Sequence, residues 1–366
     1  MLPCLSVAPG IVVLHDYSLT YLMLPLTLKR GDFHSLEEIL RTNHGGRARS
    51  IALGLLLGGI DPYEVFLCRP VVEMSRAVIV HNHHAFGKLQ SEFPQKRIQR
   101  IPHATPIRDL SQDMATLRSA YGFRKEDLIL ASVSSLAYNK RTQLVLSALQ
   151  ELRKDFPQVK FVVVGQGDLG SRSRALIRRF GLGQTVLQTG WVSSRAYLDY
   201  IDIADVIVDL RCPTAGETSG SSLRAMQAAK PLVVSAEGFF LELPDSCCLR
   251  LPVDGQETRV LRDILAGLIQ EPERRKELGM AGRKYTLTFL RLEQAAKSYM
   301  EFVREVATSS YKPSRSWSFS GHGSSAVNGC LVSLAYRAGR LAYSLRCYGL
   351  AGTWYRIQSA GRSRSS

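Results

Sequence analysis

The chain has 366 residues, of which 45% are hydrophobic and 22% charged. That balance excludes a wholly disordered or fibrous protein, and the length suggests about two domains. The formal net charge is +15, but eight basic residues beyond Thr308 (Lys312, Arg315, Arg337, Arg340, Arg346, Arg356, Arg362 and Arg364) stand there with no acid, which leaves +7 for the rest.

In chain order, Gly10 to Leu14 is apolar and β-branched and predicts a buried strand ending at His15-Asp16. His34 to Arg41 and Arg47 to Leu57 predict helices. Ala77 to Val80 predicts a strand, His84 to Phe93 a helix, and Ile98 to Ile101 another strand. A clearer alternation follows. Strands are predicted at Leu128 to Val133, Phe161 to Val164, Thr185 to Thr189, Val206 to Asp209 and Leu232 to Ser235. Helices at Thr142 to Leu152, Ser173 to Phe180, Arg195 to Ile201 and Ser221 to Ala229 separate them. Such alternation predicts a doubly wound parallel sheet. Thr258 to Leu268, Pro272 to Gly279 and Leu292 to Glu305 add helices.

Beyond Thr308 the composition shifts to Ser, Gly and Arg. Ser309 to Ser325 reads as a linker and Gly361 to Ser366 as disordered. Between them, Gly329 to Trp354 has helical spacing, with Tyr336, Tyr343, Cys347, Leu350 and Trp354 on one stripe. That stripe is either a packing face or an interfacial helix on anionic lipid.

The seven cysteines (Cys4, Cys68, Cys212, Cys247, Cys248, Cys330, Cys347) form no CxxC pair, which fits a reducing compartment without a disulfide framework. Met1 to Pro9 has no basic segment, and the longest apolar run, Ile51 to Ile60, is about half a membrane span and holds three glycines. The expectation is a cytoplasmic protein, peripheral at the inner membrane face if the tail binds lipid. His81, His83, His84 and His103 lack an acid or cysteine to complete a zinc set, so no metal is expected.

Gly165-Gln166-Gly167-Asp168-Leu169-Gly170 matches the dinucleotide fingerprint after a strand. It lies in the second βα unit, and no acid follows at ribose-binding distance, since the next is Asp199. A tight turn that lets a ligand approach bare backbone is the better reading. The stretch from Leu210 to Met226 is more telling. A strand ends, a Gly/Ser/Thr loop turns, and a helix begins near Ser221. Its backbone N–H groups suit a phosphate, and Glu217 adds a carboxylate that can accept sugar hydroxyls. A plain serine helix cap is the alternative.

Six motifs in order resemble the donor half of a retaining glycosyltransferase of family 4, with the GT-B fold. They are Tyr138-Asn139-Lys140-Arg141, Val164-Gly165-Gln166-Gly167, Thr189-Gly190-Trp191-Val192, Ala204-Asp205-Val206, Gly216 to Met226 and Lys230-Pro231-Leu232-Val233-Val234. The resemblance covers Leu128 to Glu305 well and reaches weakly back to Pro9. It implies two Rossmann-like domains facing a cleft, the first incomplete. The expected division is 1–110 for the acceptor side, 111–290 for the nucleotide sugar, 291–307 for a helix returning to the first domain, and 308–366 for the tail.

The implied reaction is retaining transfer from a nucleotide diphosphate sugar to a glycan, lipid or small-molecule hydroxyl, with no other cofactor and no nucleic acid. Lys140 matches the family lysine on the diphosphate, and Arg141 shares that role or is solvated. Gly165, Gly167, Thr218, Ser219, Gly220 and Ser221 fall on the donor loops. Trp191 matches the nucleobase position, with packing as the alternative. Glu217 would hold the transferred sugar, and His15 resembles the histidine that approaches it from the first domain, with a core histidine as the alternative. Two departures stand out. Glu217 is one place from the usual first glutamate, and Arg224 replaces the second. His15 follows only 14 residues, so the first strands and a glycine-rich loop are missing, through a late start or a shortened relative. A non-catalytic nucleotide-sugar binder and a GT-B epimerase are the competing functions.

Overall fold

The short apolar runs Ala77–Val80, Leu128–Val133, Val206–Asp209 and Leu232–Ser235 become strands buried on both faces, as the centre of a parallel sheet requires. The computed structural model describes residues 2–110, 113–134, 136–167, 169–309 and 331–343. These residues divide into two compact units. The first holds 2–102, 213–218, 296–309 and 331–343, and the second holds 103–212 and 219–295.

The first unit runs α1 (Leu2–Val7), β1 (Ile11–Val13), α2 (Thr20–Leu26), α3 (Phe33–His44), α4 (Ala48–Leu57), α5 (Arg69–Met74), β2 (Ala77–Val80), α6 (His83–Glu92) and β3 (Ile98–Arg100). The strands form a parallel sheet in the order β1-β2-β3. Met23, Leu24, Leu36, Leu40, Leu55 and Val71 fill the core between its helices. α3 starts where Asp32 accepts the Ser35 N–H at 2.9 Å, and α6 where Asn82 accepts the Ala85 N–H at 2.7 Å. Each cap satisfies a donor that the first helical turn leaves open.

The second unit runs α7 (Met114–Ala120), β4 (Leu128–Val133), α8 (Thr142–Asp155), β5 (Val159–Val164), α9 (Gly170–Arg179), β6 (Val186–Gly190), α10 (Ser194–Ile203), β7 (Val206–Asp209), α11 (Gly220–Gln227), β8 (Leu232–Ser235), β9 (Leu249–Leu251), α12 (Glu257–Gln270) and α13 (Pro272–Phe289). Its strands are all parallel in the order β6-β5-β4-β7-β8-β9. Helices cover both faces and give two apolar layers, one around Ile129, Val162, Ile207 and Met226, the other around Leu130, Leu149, Phe161 and Leu265. The sequence of neighbours reverses between β4 and β7, which is where doubly wound sheets open a ligand crevice.

α14 (Leu292–Ala307) leads back to the first unit, where Arg76 Nη2 donates to the Ser309 carbonyl at 2.7 Å. A further helix, α15, spans 331–343. Tyr336 and Tyr343 are buried, and Tyr336 joins the core beside Leu36 and Leu55. Gly339 lets α15 touch the end of α4, since a Cβ there would overlap the Leu56 carbonyl. Within the described residues the tyrosine stripe is therefore the packing face. Its continuation at Cys347, Leu350 and Trp354, the linker and the last residues lie outside them. Among the described residues no helix is long and apolar enough to cross a membrane.

Candidate active site

In the second unit, the chain leaves β4 and makes a short 3-10 turn at Tyr138–Lys140. Arg141 then adopts φ 54° at the N-cap of α8, a left-handed conformation that is strained for a residue with a side chain. An ion pair holds it: Arg141 Nη2 lies 2.7 Å from Glu257 Oε1 on α12. The Asn139 carbonyl accepts the Cys212 N–H at 2.8 Å, so the turn carrying Lys140 is tied to the segment that leaves β7. Both segments rise from the strands at the switch point.

Asp209 ends β7 and is 6% exposed. Its Oδ2 accepts from Ser219 Oγ at 2.6 Å and Ser222 Oγ at 2.8 Å. Arg211 Nε lies 3.5 Å from Oδ1, and Arg211 Nη2 donates to Ser219 Oγ at 3.3 Å. Burial disfavours the carboxylate, yet the charges of Arg211 and Lys140 and the two serine hydroxyls outweigh burial and hold this carboxyl below its usual range. Ser219 also caps α11 by accepting the Ser222 N–H at 3.3 Å. Gly220 and Ser221 open that helix, and Ser221 Oγ lies 3.1 Å from Ser219 Oγ. The result is a helix N-terminus beside the Arg211 guanidinium, with the Lys140 turn tied to the same segment, an arrangement suited to a phosphate.

Gly165 and Gly167 follow β5, both at positive φ (146° and 133°). A Cβ on Gly167 would meet the Leu136 Cβ at 2.7 Å, so the loop lies against the turn after β4. Asp168 lies outside the described residues. Gly190 accepts the Gly165 N–H at 3.2 Å. The adjoining Trp191 is 75% exposed, so it is not a packing residue. Arg224, where the second carboxylate was expected, is exposed, with its guanidinium 5.4 Å from the Tyr197 ring centre.

The rest of the predicted loop belongs to the first unit. The Ser18 N–H donates to the Ala215 carbonyl at 2.8 Å. Asn82 Nδ2 donates to the Gly216 carbonyl at 2.9 Å and to Thr218 Oγ1 at 3.0 Å. Glu217 Oε2 accepts from Thr214 Oγ1 at 2.9 Å and the Ala215 N–H at 2.8 Å, so this carboxylate is fixed by its own turn. His15 is exposed beyond β1, with its ring centre 4.8 Å from that of His81. It is not a core histidine. His81 Nδ1 lies 2.9 Å from the Ile101 carbonyl. Among the described residues no group of three His, Cys, Asp or Glu side chains could hold a metal.

Sequence reasoning reached Lys140, Arg141, Glu217 and the loop serines but missed Asp209, Arg211, Glu257 and Asn82. An acid closing the buried run Val206–Asp209 was a usable signal. The partners of Asn82 and Glu257 are far apart in sequence and left none.

A family model for glycosyl transferases group 1 matches residues 113–285. The match takes in just under half of the chain. The matched segment contains every strand of the six-stranded sheet. EpsD of Bacillus subtilis, named a glycosyltransferase, is 25% identical over 214 residues, 54% of this chain and 51% of that protein. A GDP-mannose-dependent alpha-(1-6)-phosphatidylinositol monomannoside mannosyltransferase of Mycobacterium tuberculosis is 26% identical over 196 residues, 52% of this chain and 50% of that one. The chain thus spans about half the length of these curated relatives. Among solved structures, HepE from Anabaena in complex with UDP has a TM-score of 0.60 at 16% identity, covering 83% of this chain and 77% of that one. That likeness shows the GT-B fold, with two Rossmann-like parts.

Proposed function

We propose that the chain transfers a sugar from a nucleotide diphosphate sugar to an acceptor hydroxyl with retention at the anomeric carbon. One observation carries this reading: at the switch point of the second sheet, Arg211 meets the N-terminus of α11 beside the turn that carries Lys140, an arrangement suited to a diphosphate. UDP is named with HepE and GDP-mannose with the mycobacterial relative, which supports a nucleotide sugar as the donor. Trp191 offers an exposed ring to a base, and the bare backbone at Gly165 and Gly167 admits the ligand.

In the proposed reaction the bond between the anomeric carbon and the phosphate oxygen breaks. The acceptor oxygen bonds to the same face, and its proton passes to the leaving phosphate. The protein contributes position and charge. Lys140 and Arg211, with Arg141 steadied by Glu257 behind them, offset the charge developing on the diphosphate. The resemblance assigns the transferred sugar to Glu217 and His15, which both belong to the first unit. The acceptor is a glycan or a lipid-linked hydroxyl. The second α15 face supports a lipid surface: Leu331, Leu334 and Leu341 are 60%, 54% and 44% exposed, with the exposed Arg337 beside them.

The test is a panel of UDP-, GDP- and ADP-sugars with the purified full chain, read as release of nucleoside diphosphate. Turnover with at least one donor, lost in Lys140→Ala, is expected, and NMR of the product should show the donor's anomeric configuration. Donor binding without turnover would make the chain a non-catalytic nucleotide-sugar binder, and interconversion of donors without acceptor would make it an epimerase.

A further inference from the structure

The hydroxyls of Ser219 and Ser222 do not by themselves require an ionised partner at position 209, because an amide oxygen would accept from them equally well. Nor does the α11 cap need it, since Ser219 alone accepts the Ser222 N–H. Yet the carboxylate is nearly fully buried and kept charged by Arg211 and Lys140. An anion placed where an anionic ligand is to bind weakens that binding. Its useful effect is on the cations. With the site empty, it neutralises part of their charge, and the 3.5 Å approach to Arg211 Nε together with the shared Ser219 hydroxyl keeps the guanidinium beside the N-terminus of α11.

We propose that Asp209 is a positioning residue that holds Arg211 for the donor's diphosphate and limits how tightly that cation grips it. The inference rests on the donor-site reading above. On donor arrival the diphosphate takes over part of Arg211 from Asp209. On departure Asp209 takes it back, which lets the nucleoside diphosphate leave. Binding donor and product more tightly without favouring the transition state would slow turnover, because product release then limits the rate.

The test uses the full chain with inorganic pyrophosphate, UDP and GDP as calorimetric probes, and steady-state turnover of the donor found active in the panel. Asp209→Asn keeps the shape and the acceptor oxygen but removes the charge. It should bind pyrophosphate at least threefold more tightly, and lower KM and kcat together, with kcat down at least tenfold. Equal or weaker binding, or a kcat loss at unchanged KM, would reduce Asp209 to a structural residue and overturn the proposal. Arg211→Gln supplies a second arm if Asp209→Asn does not fold. Its pyrophosphate affinity should fall at least fivefold, and an unchanged affinity sinks the idea. A wild-type chain that binds none of the three probes would overturn the donor-site reading and this inference with it. A wild type that binds while Asp209→Asn binds equally overturns this inference alone.

Discussion

Asn82 serves two elements with one side chain: its Oδ1 accepts the Ala85 N–H at 2.7 Å while its Nδ2 donates to the Gly216 carbonyl at 2.9 Å and to Thr218 Oγ1 at 3.0 Å. The residue that starts α6 therefore also holds the turn that presents Glu217. Asn82→Asp keeps the cap, since a carboxylate accepts the same N–H, but loses both donations. A buried acceptor left unpaired costs about 1–3 kcal/mol. Asp at this position should leave the helix intact and lower kcat at least tenfold, seen by circular dichroism beside steady-state turnover. A variant with full turnover would remove Asn82 from the account.

Gly216 sits at φ +82°, and a Cβ there would lie 2.7 Å from the Tyr17 Cβ. A side chain pays about 1–2 kcal/mol for the left-handed conformation alone, and the contact adds to it. Gly216→Ala should therefore lower stability by more than about 2 kcal/mol in urea denaturation. Tyr17→Phe should give no rescue, because the clashing atom is the β-carbon, which both residues share.

Cys212 is half-buried, yet its thiol is pushed up to about 12. Burial is the main cause, followed by its hydrogen bond to Glu237 and that carboxylate's charge. The thiol stays protonated through pH 8, so iodoacetamide should label it slowly, by mass spectrometry of the native chain. Glu237→Gln removes the negative charge and should speed labelling severalfold at pH 8. Equal labelling rates would mean that burial alone sets the thiol's reactivity.

Arg108 Nη1 and Nη2 meet the two Asp202 oxygens at 2.7 and 2.6 Å, and Asp202 is buried. The planar fork matches both carboxylate oxygens. Removing one partner leaves the other charge uncompensated, so Arg108→Met should cost about 3 kcal/mol. The double variant Arg108→Met with Asp202→Leu should recover most of that loss, measured by urea denaturation.

The outward leucines of α15 give a direct test of the lipid contact. Burying a leucine side chain contributes about 1.5–3 kcal/mol when complete. A chain with Leu331→Asp, Leu334→Asp and Leu341→Asp should sediment with phosphatidylglycerol vesicles at least tenfold more weakly than the wild type, with binding to phosphatidylcholine vesicles weak for both. Equal sedimentation of the two chains with phosphatidylglycerol would rule this face out.

Several strands match their sequence expectation residue for residue. Leu128–Val133, Val206–Asp209 and Leu232–Ser235 are runs of apolar residues buried on both faces with clear polar or glycine boundaries. β9 (Leu249–Leu251) escaped notice because it has three residues with an arginine at its centre. α7 (Met114–Ala120) buries none of its residues, so it lacks an apolar stripe to read. At the site, the loop and its lysine were legible because both are local motifs. The joining of Asp209, Arg211 and Lys140 was not, since Lys140 lies some seventy residues upstream and meets the others only through neighbouring strands. The fixing of 213–218 by Ser18 and Asn82 likewise depends on tertiary contacts. α15 was foreseen as a helix, but which of its faces is buried follows from Gly339 and α4.

Segment 213–218 belongs to the first unit although the chain on either side of it belongs to the second. Neither unit is therefore a single uninterrupted stretch that can be cut out by trimming the ends. A chimaera joined near residue 102 would combine one parent's Asn82 and Ser18 with the other parent's Gly216 and Ala215. Domain exchange among such proteins should succeed only when this short turn travels with the amino-terminal parent, as a second graft in its own right.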